Sequence, residues 1–260
     1  MARLVAEKDG AIGWLVFDNQ AKLNALTFEM WTGLPPALAA FARDAEVRVI
    51  VLRGAGDKAF VSGADISQFE TKRGDAAGVA AYAAAVENAS TALAQAEKPT
   101  IAMIRGYCIG GGLAVALNCD IRIAAEGSRF AIPAAKLGLG YPYGGVKQLV
   151  DIVGPAFAKE VFFTARQFGA AEAEAMHLVN RLVAGDALEA TVRDLAARIG
   201  ANAPLTIRAA KLAIEAALGD APDKDIAAAE AAIAACSESA DYTEGRRAFV
   251  EKRKPLFRGR

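Results

Sequence analysis

An α/β fold is predicted by three features of this 260-residue chain. β-Branched runs alternate with helix-forming runs up to about residue 183, a triple glycine joins one such strand to one such helix, and after about residue 186 only helical periodicity is left. The first two runs, residues 2 to 8 and 11 to 17, are separated at Asp9-Gly10, a pair that suits a tight hairpin. Residues 28 to 42 read as a helix, and Val47-Arg48-Val49-Ile50-Val51-Leu52 as a buried strand closed by Arg53-Gly54-Ala55-Gly56-Asp57. The alanine-rich stretch from Gly78 to Glu97 favours helix, and Lys98-Pro99 stops it before the strand Thr100-Ile101-Ala102-Met103-Ile104. Ile121-Arg122-Ile123-Ala124-Ala125 and Leu178-Val179-Asn180-Arg181-Leu182-Val183 are two further strands. Leu205, Ala209, Leu212 and Ala216 then mark one face of a helix. The reading is of an α/β core over 1–195 and a helical region over 196–260 that folds back on the core or packs against another subunit.

Composition narrows the function. With 54% hydrophobic residues the chain can bury a sizeable core, and its 30 basic and 30 acidic side chains cancel, so no global field draws it to nucleic acid or to an anionic membrane. Cys108, Cys119 and Cys236 lack metal-ligand spacing and are odd in number, which points to reduced thiols and a cytoplasmic setting. Charge interrupts the N-terminal residues early and no apolar run reaches transmembrane length, so neither a signal peptide nor a membrane span is expected.

Chemistry is concentrated in two segments. In Cys108-Ile109-Gly110-Gly111-Gly112-Leu113-Ala114, glycine lets a ligand approach the backbone, and the first N–H groups of the following helix have no partner within it. Ala59-Phe60-Val61-Ser62-Gly63-Ala64-Asp65-Ile66 likewise joins a strand to a helix start. If the two face one cleft, the N–H groups of Ala64 and Gly111 can grip one carbonyl oxygen, and a thioester turning into an enolate is the natural occupant. Without a ligand, the same glycines would serve close packing of helix on strand.

These segments, together with Asn24-Ala25-Leu26, Gly106, Cys119-Asp120, Phe130, Leu137-Gly138, Gly144-Gly145, Lys159-Glu160, Leu178-Val179-Asn180 and Phe249-Val250-Glu251-Lys252-Arg253-Lys254, resemble the enoyl-CoA hydratase/isomerase (crotonase) family over nearly the whole chain. The resemblance implies a crotonase-like superhelix of ββα units with a helical C-terminal trimerisation region, assembled as a homotrimer or dimer of trimers. It implies an acyl-CoA thioester held at Ala64 and Gly111, with a CoA path along Lys22, Leu23, Ala25, Ala64, Asp65 and Ile66. Phe249 and Lys254 reach the CoA of a neighbouring subunit in that picture, and no cofactor is needed because CoA arrives with the substrate.

The chain departs from the family pattern where protons move. Typical hydratases of the family use two glutamates, one to activate water and one to protonate the α-carbon. The corresponding positions are Ala114 and Ala134. An oxyanion hole without these carboxylates still stabilises an enolate formed another way. The nearest label is therefore an atypical enoyl-CoA hydratase. A second reading is decarboxylation of a malonyl- or methylmalonyl-type thioester with Tyr141, whose segment resembles that of methylmalonyl-CoA decarboxylases, and a third is a non-catalytic acyl-CoA-binding or assembly subunit. Glu87, Glu70 and Asp75 are candidate replacement acids, each read first as a solvated surface charge, and His177, the only histidine, reads as structural.

Overall fold

The computed structural model describes residues 2–72, 74–218 and 223–260, apart from the side chains of Phe69, Glu70 and Lys224. Strands β1 (Arg3–Asp9) and β2 (Ile12–Asp18) pair antiparallel with Asp9 opposite Ile12. The hairpin turn is therefore Gly10-Ala11, one residue later than expected, and Gly10 supplies the positive φ of 57° that a tight turn demands. Residues Ile12 to Phe17 of β2 are all buried because its two faces enter two different cores. That is why it reads as a continuous apolar run and not as an alternating one.

Helix α1 (Phe28–Arg43) is capped by Thr27, whose hydroxyl accepts the Met30 N–H at 3.2 Å, and it turns Met30, Trp31, Leu34, Leu38 and Phe41 inward. Strand β3 (Val49–Gly54) starts two residues after the expected Val47, which is buried but lies outside the ladder. The chain then gives β4 (Ala59–Val61), α2 (Phe69–Lys72), α3 (Ala76–Ala94), β5 (Thr100–Ile104), β6 (Tyr107–Ile109) and α4 (Gly111–Leu117). It continues through β7 (Ile121–Ala125), β8 (Arg129–Ala131), a short turn of 3-10 helix at Pro133–Leu137, and α5 (Tyr143–Thr164), which is broken at Gly154 before Pro155. Next come β9 (Phe168–Gly169), α6 (Ala170–Ala175), β10 (Arg181–Val183), α7 (Leu188–Gly200), α8 (Pro204–Ala217), α9 (Asp223–Glu238) and α10 (Ala240–Val250).

Strands alternate between two sheets. One has the order β1-β2-β3-β5-β7-β10, and the other β4-β6-β8-β9. Three successive strand pairs, β3–β4, β5–β6 and β7–β8, each leave the first sheet, bend into the second and lead into a helix, and each pair lies parallel to the one before. This repetition is the predicted superhelix of ββα turns. The bend between β5 and β6 needs Gly106, which sits at φ 69° where a side chain would meet the Lys58 carbonyl oxygen at 1.9 Å. One core fills the space between the sheets and the helices on them, with Phe17, Phe60 and Phe130 fully buried. A second lies on the outer face of the first sheet, where Trp14, Val49, Val51, Ile101 and Met103 meet Leu188, Val192 and Ala196 of α7.

Two expectations shift. The division after residue 195 falls inside α7, whose apolar face belongs to the second core, so the structure keeps α7 with the sheets and the helical region begins at α8. Of the strand expected over 178–183, Arg181–Val183 forms the ladder and Asn180 donates its amide to the Arg122 carbonyl of β7, while the amides of Leu178 and Val179 turn back to the Ala173 carbonyl. His177 stands at that turn, exposed and at φ 61°, a conformation that suits glycine and accounts for its position as structural. The face of α8 carrying Leu205, Ala209, Leu212 and Ala216 is partly to fully buried, and α8 packs on α9. The last residues return to the chain's own body: Asp241, nearly fully buried, accepts the amides of Arg258 and Gly259, and Arg48 donates to the Phe257 carbonyl. Among the described residues no helix is long and apolar enough to cross a membrane.

Candidate active site

The site is assembled from two loops locked together by the backbone. Leu26 donates to the Gly63 carbonyl and accepts from the Asp65 amide, each at 2.8 Å, which brings the loop before α1 alongside the loop after β4. Ser62 adds two bonds, from its amide to the Leu23 carbonyl and from its hydroxyl to the Lys22 carbonyl. Leu23 and Asn24 both take positive φ, 52° and 58°. That conformation is held by the buried Asn24 side chain, which donates to the carbonyls of Ala55 and Ala59 and accepts from the Asn19 amide. Asparagine tolerates left-handed backbone better than most residues, and here its amide also fills three bonds in a buried gap.

The triple glycine divides its work. A side chain on Gly112 would meet the Val61 carbonyl oxygen at 2.2 Å, so this glycine lets α4 press against β4. Gly110 turns the chain at φ 53° and donates to the Ala131 carbonyl at 2.8 Å. At Gly111 a Cβ would stand 3.8 Å from the Ala64 amide nitrogen, beside Trp31 Cζ2 at 3.3 Å and Leu26 Cδ1 at 3.5 Å. Glycine at 111 thus leaves the space beside the Ala64 nitrogen free of a side chain. Gly111 is the first residue of α4, so its N–H lies outside the helical ladder, and among the described residues neither it nor the Ala64 N–H has a hydrogen-bond partner. The two expected donors are neighbours.

Lys22 and Asp65 form a clasp across these loops. The Lys22 ammonium touches both Asp65 carboxylate oxygens at 3.0 and 2.9 Å and the Ser67 hydroxyl at 2.5 Å. Lys22 is therefore neither a freely solvated lysine nor a free cation waiting for a phosphate. Burial pushes the Asp65 carboxyl upward, but the bonds from Lys22 and from the Ser67 hydroxyl and amide together outweigh it and hold the group below its usual value. Ala25 is buried beside this clasp, while Ile66 is 72% exposed. Phe249 and Lys254 are exposed at the end of α10, Phe249 at 86%, and α10 packs on α9 and the C-terminal residues. Within one chain they belong to a different region from the clasp.

The glutamate-less positions flank the same turn. Ala114, one helical turn into α4, donates its amide to the Gly110 carbonyl, and Pro133, immediately before the buried Ala134, packs beside Gly110. No candidate replacement acid is placed with them. Glu87 is exposed on α3, Asp75 uses a carboxylate oxygen to cap α3 through the Gly78 amide at 2.7 Å, and the Glu70 side chain lies outside the described residues. Tyr141 packs its ring on Phe162, with centroids 5.1 Å apart, and against Gly145. Burial pushes its phenol up to about 12, so at neutral pH it is a hydrogen-bond donor and not a base. Buried Cys119 is likewise pushed up to about 12 by desolvation, and Cys108 well above the ordinary thiol range, so neither supplies a nucleophile.

The far end of α4 has the opposite character. Asp120 accepts from the amide and hydroxyl of Thr100 and pairs with Lys211 at 2.9 Å, while Arg122 donates to the carbonyls of Leu178 and Cys119. These residues fasten strand and helix ends. They also line a cavity of about 550 Å³ that includes Lys211 and Glu215 but touches neither Ala64 nor Gly111. Its position behind α4, remote from both amides, marks it as a separate feature of the fold.

One site residue was not foreseen. Trp31 is 2% exposed, its ring edge lies against Gly111, and its indole N–H is buried without a hydrogen-bond partner among the described residues. Leaving such a donor unmade costs about 1–3 kcal/mol. The sequence signal was a lone polar edge within the otherwise apolar stripe Met30, Leu34, Leu38 and Phe41.

Strand pairs that alternate between two sheets and each lead into a helix define the class: an α/β superhelix. Residues 7–260 match the family model described as enoyl-CoA hydratase/isomerase. The chain is 34% identical to the short-chain-enoyl-CoA hydratase of Clostridium acetobutylicum, over 96% of this chain and 95% of that one, and 32% identical to the crotonyl-CoA hydratase of Syntrophomonas wolfei, over 98% and 97%. Its fold matches the crystal structure of an enoyl-CoA hydratase/carnithine racemase from Magnetospirillum magneticum with a TM-score of 0.92 at 37% identity, covering 100% of this chain and 97% of that one. The protein belongs to the enoyl-CoA hydratase/isomerase family and has the crotonase fold.

Proposed function

We propose that the protein processes acyl-CoA thioesters, holding the thioester oxygen between the N–H groups of Ala64 and Gly111 and stabilising the enolate that develops there. The observation that carries this reading is the pair of partnerless amides side by side, with 3.8 Å between the Ala64 nitrogen and the point where a Gly111 side chain would start. Negative charge developing on the oxygen strengthens both bonds, so the transition state gains more than the bound substrate does. The clasp of Lys22 on Asp65 fixes Ala25, Ala64 and Ile66 as the wall along which the CoA arm runs. In this proposal Lys22 positions the wall and leaves direct phosphate contact to other groups.

Enoyl-CoA hydratase is the nearest activity, in keeping with the printed names of the relatives, and Ala114 and Ala134 make it atypical. Neither alanine moves a proton, so water addition proceeds slowly here unless another group serves. The names of the relatives do not favour decarboxylation through Tyr141 or a binding-only subunit. We further propose a homotrimer or dimer of trimers in which the exposed Phe249 and Lys254 meet a neighbour's CoA, and a cytoplasmic setting in keeping with three free thiols.

Incubating the protein with crotonyl-CoA and, separately, with methylmalonyl-CoA, and following products by mass spectrometry, tests the reading. The expected result is slow formation of the hydrated product from crotonyl-CoA. Ala114→Glu combined with Ala134→Glu raises that rate by at least about 10²-fold, since each acid/base group contributes about 10²- to 10⁴-fold. Loss of carbon dioxide from methylmalonyl-CoA that depends on Tyr141 overturns the hydratase label, and failure to bind any acyl-CoA overturns the whole proposal.

A further inference from the structure

The end of α1 with the loop after it, the turn before β5, helix α8 and the C-terminal segment meet around a cavity of about 230 Å³ that shares no residue with the oxyanion site or the Lys22 clasp. Five cations line it: Arg43 and Arg48 from the first segment, Lys98 from the turn, Arg208 from α8 and Arg258 from the C-terminal segment. One carboxylate, Glu97, faces them and lies 3.6 Å from Arg208. In a chain whose 30 basic and 30 acidic residues balance, composition does not account for such a local excess. Nor does the fold consume it. Among the described residues Arg43, Arg48, Lys98 and Arg258 form no salt bridge, and the nearby Asp44 carboxylate is held by Lys8. Three of these cations are instead fixed by backbone carbonyls: Arg43 donates to Ala39, Arg48 to Phe257, and Lys98 to Phe41 and Asp44. Arg48 is also wedged in place, its Cβ 3.3 Å from where a Gly200 side chain would start and its Nη1 3.6 Å from the same point on Gly259. Val47, fully buried, and half-buried Ile199 add apolar wall, which concentrates the positive field in the opening. Burial holds the Lys98 ammonium below its usual value against the pull of Asp44, and the charge of Arg48 pushes the same way as burial.

We propose that this cavity is a binding site for a diphosphate group, carried free as pyrophosphate or at the end of a nucleoside diphosphate. Guanidinium forks match phosphate oxygens in pairs, and a bound polyanion relieves the mutual repulsion of cations that the fold has gathered without counter-charges. Charge selects the diphosphate. Five cations against one carboxylate leave an excess of four, whereas a single phosphate monoester brings only about two negative charges at neutral pH. Size selects a compact group, since the cavity is smaller than the ~300–1,000 Å³ of sites that enclose drug-sized ligands. A nucleoside attached to the diphosphate stays outside. The anion bridges Arg43 and Arg48 of the core to Arg258, so it also fastens the C-terminal segment to the core.

Isothermal titration of the full-length protein with inorganic pyrophosphate, ADP and inorganic phosphate at one ionic strength tests the proposal. Pyrophosphate is expected to bind at one site per chain, about tenfold more tightly than phosphate. Arg43→Gln and Arg258→Gln, both at exposed positions outside any salt bridge, are each expected to weaken pyrophosphate about five- to tenfold. Glu97→Gln removes the opposing carboxylate and strengthens it about twofold. Arg181→Gln, which removes an exposed cation on β10, leaves it unchanged. ADP binding as tightly as pyrophosphate identifies a nucleotide as the source of the group, and much weaker ADP binding identifies free pyrophosphate. Phosphate binding as tightly as pyrophosphate overturns the diphosphate assignment. Pyrophosphate affinity that neither Arg43→Gln nor Arg258→Gln changes, or that Arg181→Gln lowers as much as they do, overturns the site. Crotonyl-CoA affinity is expected to be the same in wild type, Arg43→Gln and Arg258→Gln. A parallel loss there would place pyrophosphate in the acyl-CoA site and overturn a separate one, whereas failure of wild type to bind crotonyl-CoA bears on the acyl-CoA reading alone.

Discussion

The two ends of the seven-residue helix α4 are built on opposite principles. At the N-terminal end, Gly111 and Ala64 have amides without a partner among the described residues, Ala114 and Ala134 carry no charge, and Trp31 buries its indole N–H unpaired. At the C-terminal end, Asn118 donates to the Ala114 carbonyl and accepts from Gln148, Asp120 is shared by Thr100 and Lys211, and Arg122 bonds two carbonyls. Among the described residues one end leaves two backbone donors without a partner, and the other pairs its buried side chains. The polar network behind the helix fixes its axis, so its first amides need no partner of their own to stay in position.

The comparison breaks most visibly at Gly111. Gly111→Ala is expected to lower kcat/KM about 10²-fold on any acyl-CoA that wild type turns over, by crowding the space before Ala64 N–H, while the folding free energy changes by no more than about 1 kcal/mol. Steady-state kinetics alongside urea unfolding checks this, and proportional losses in both would mean that Gly111 serves packing like Gly112. Arg122→Met is the mirror test: about 2–3 kcal/mol of stability is lost because the carbonyls of Leu178 and Cys119 lose their donor, whereas KM for the surviving fold is unchanged.

Asp65→Asn sharpens the picture with a smaller effect. The folded carboxyl is held below its ordinary value of 3.8, so its stabilising contribution is present above that pH and disappears as pH falls through the depressed value. With Lys22 about half exposed, the clasp contributes about 1 kcal/mol or less at neutral pH. Unfolding curves of wild type and variant should therefore differ slightly at pH 7, draw together as pH falls below 3.8, and converge only below the depressed folded value. Smallest of all is the expected change at Tyr141: a spectrophotometric titration of wild type minus Tyr141→Phe should place this phenol near 12, and an ionisation near 10 would show that burial does not govern it.

Much of this protein was legible before folding was considered. The strands over 100–104 and 121–125 stand where β-branched residues and the preceding Lys98-Pro99 place them, because a run flanked by a helix stop and a turn has few alternatives. The hairpin turn slipped by one residue and Leu178 and Val179 left the ladder, since register depends on which carbonyl an amide finds across the sheet. The candidate donors Ala64 and Gly111 were legible as types, a helix start after a strand in each case. Trp31 was not, since an indole in an apolar stripe reads as core and its missing partner is a property of its neighbours.

The sequence alone determined the alternation of strands and helices, the glycines, the absence of carboxylates at 114 and 134 and the family resemblance, all of which rest on residue type and local spacing. Tertiary structure decided that Ala64 and Gly111 are neighbours, that Gly112 packs while Gly111 leaves room, that Lys22 is engaged by Asp65, and that α7 belongs with the sheets. The physical reason is the same in each case. Hydrogen bonds, ion pairs and close packing act over a few ångströms between segments far apart in the chain, and only the folded backbone brings those segments within that range.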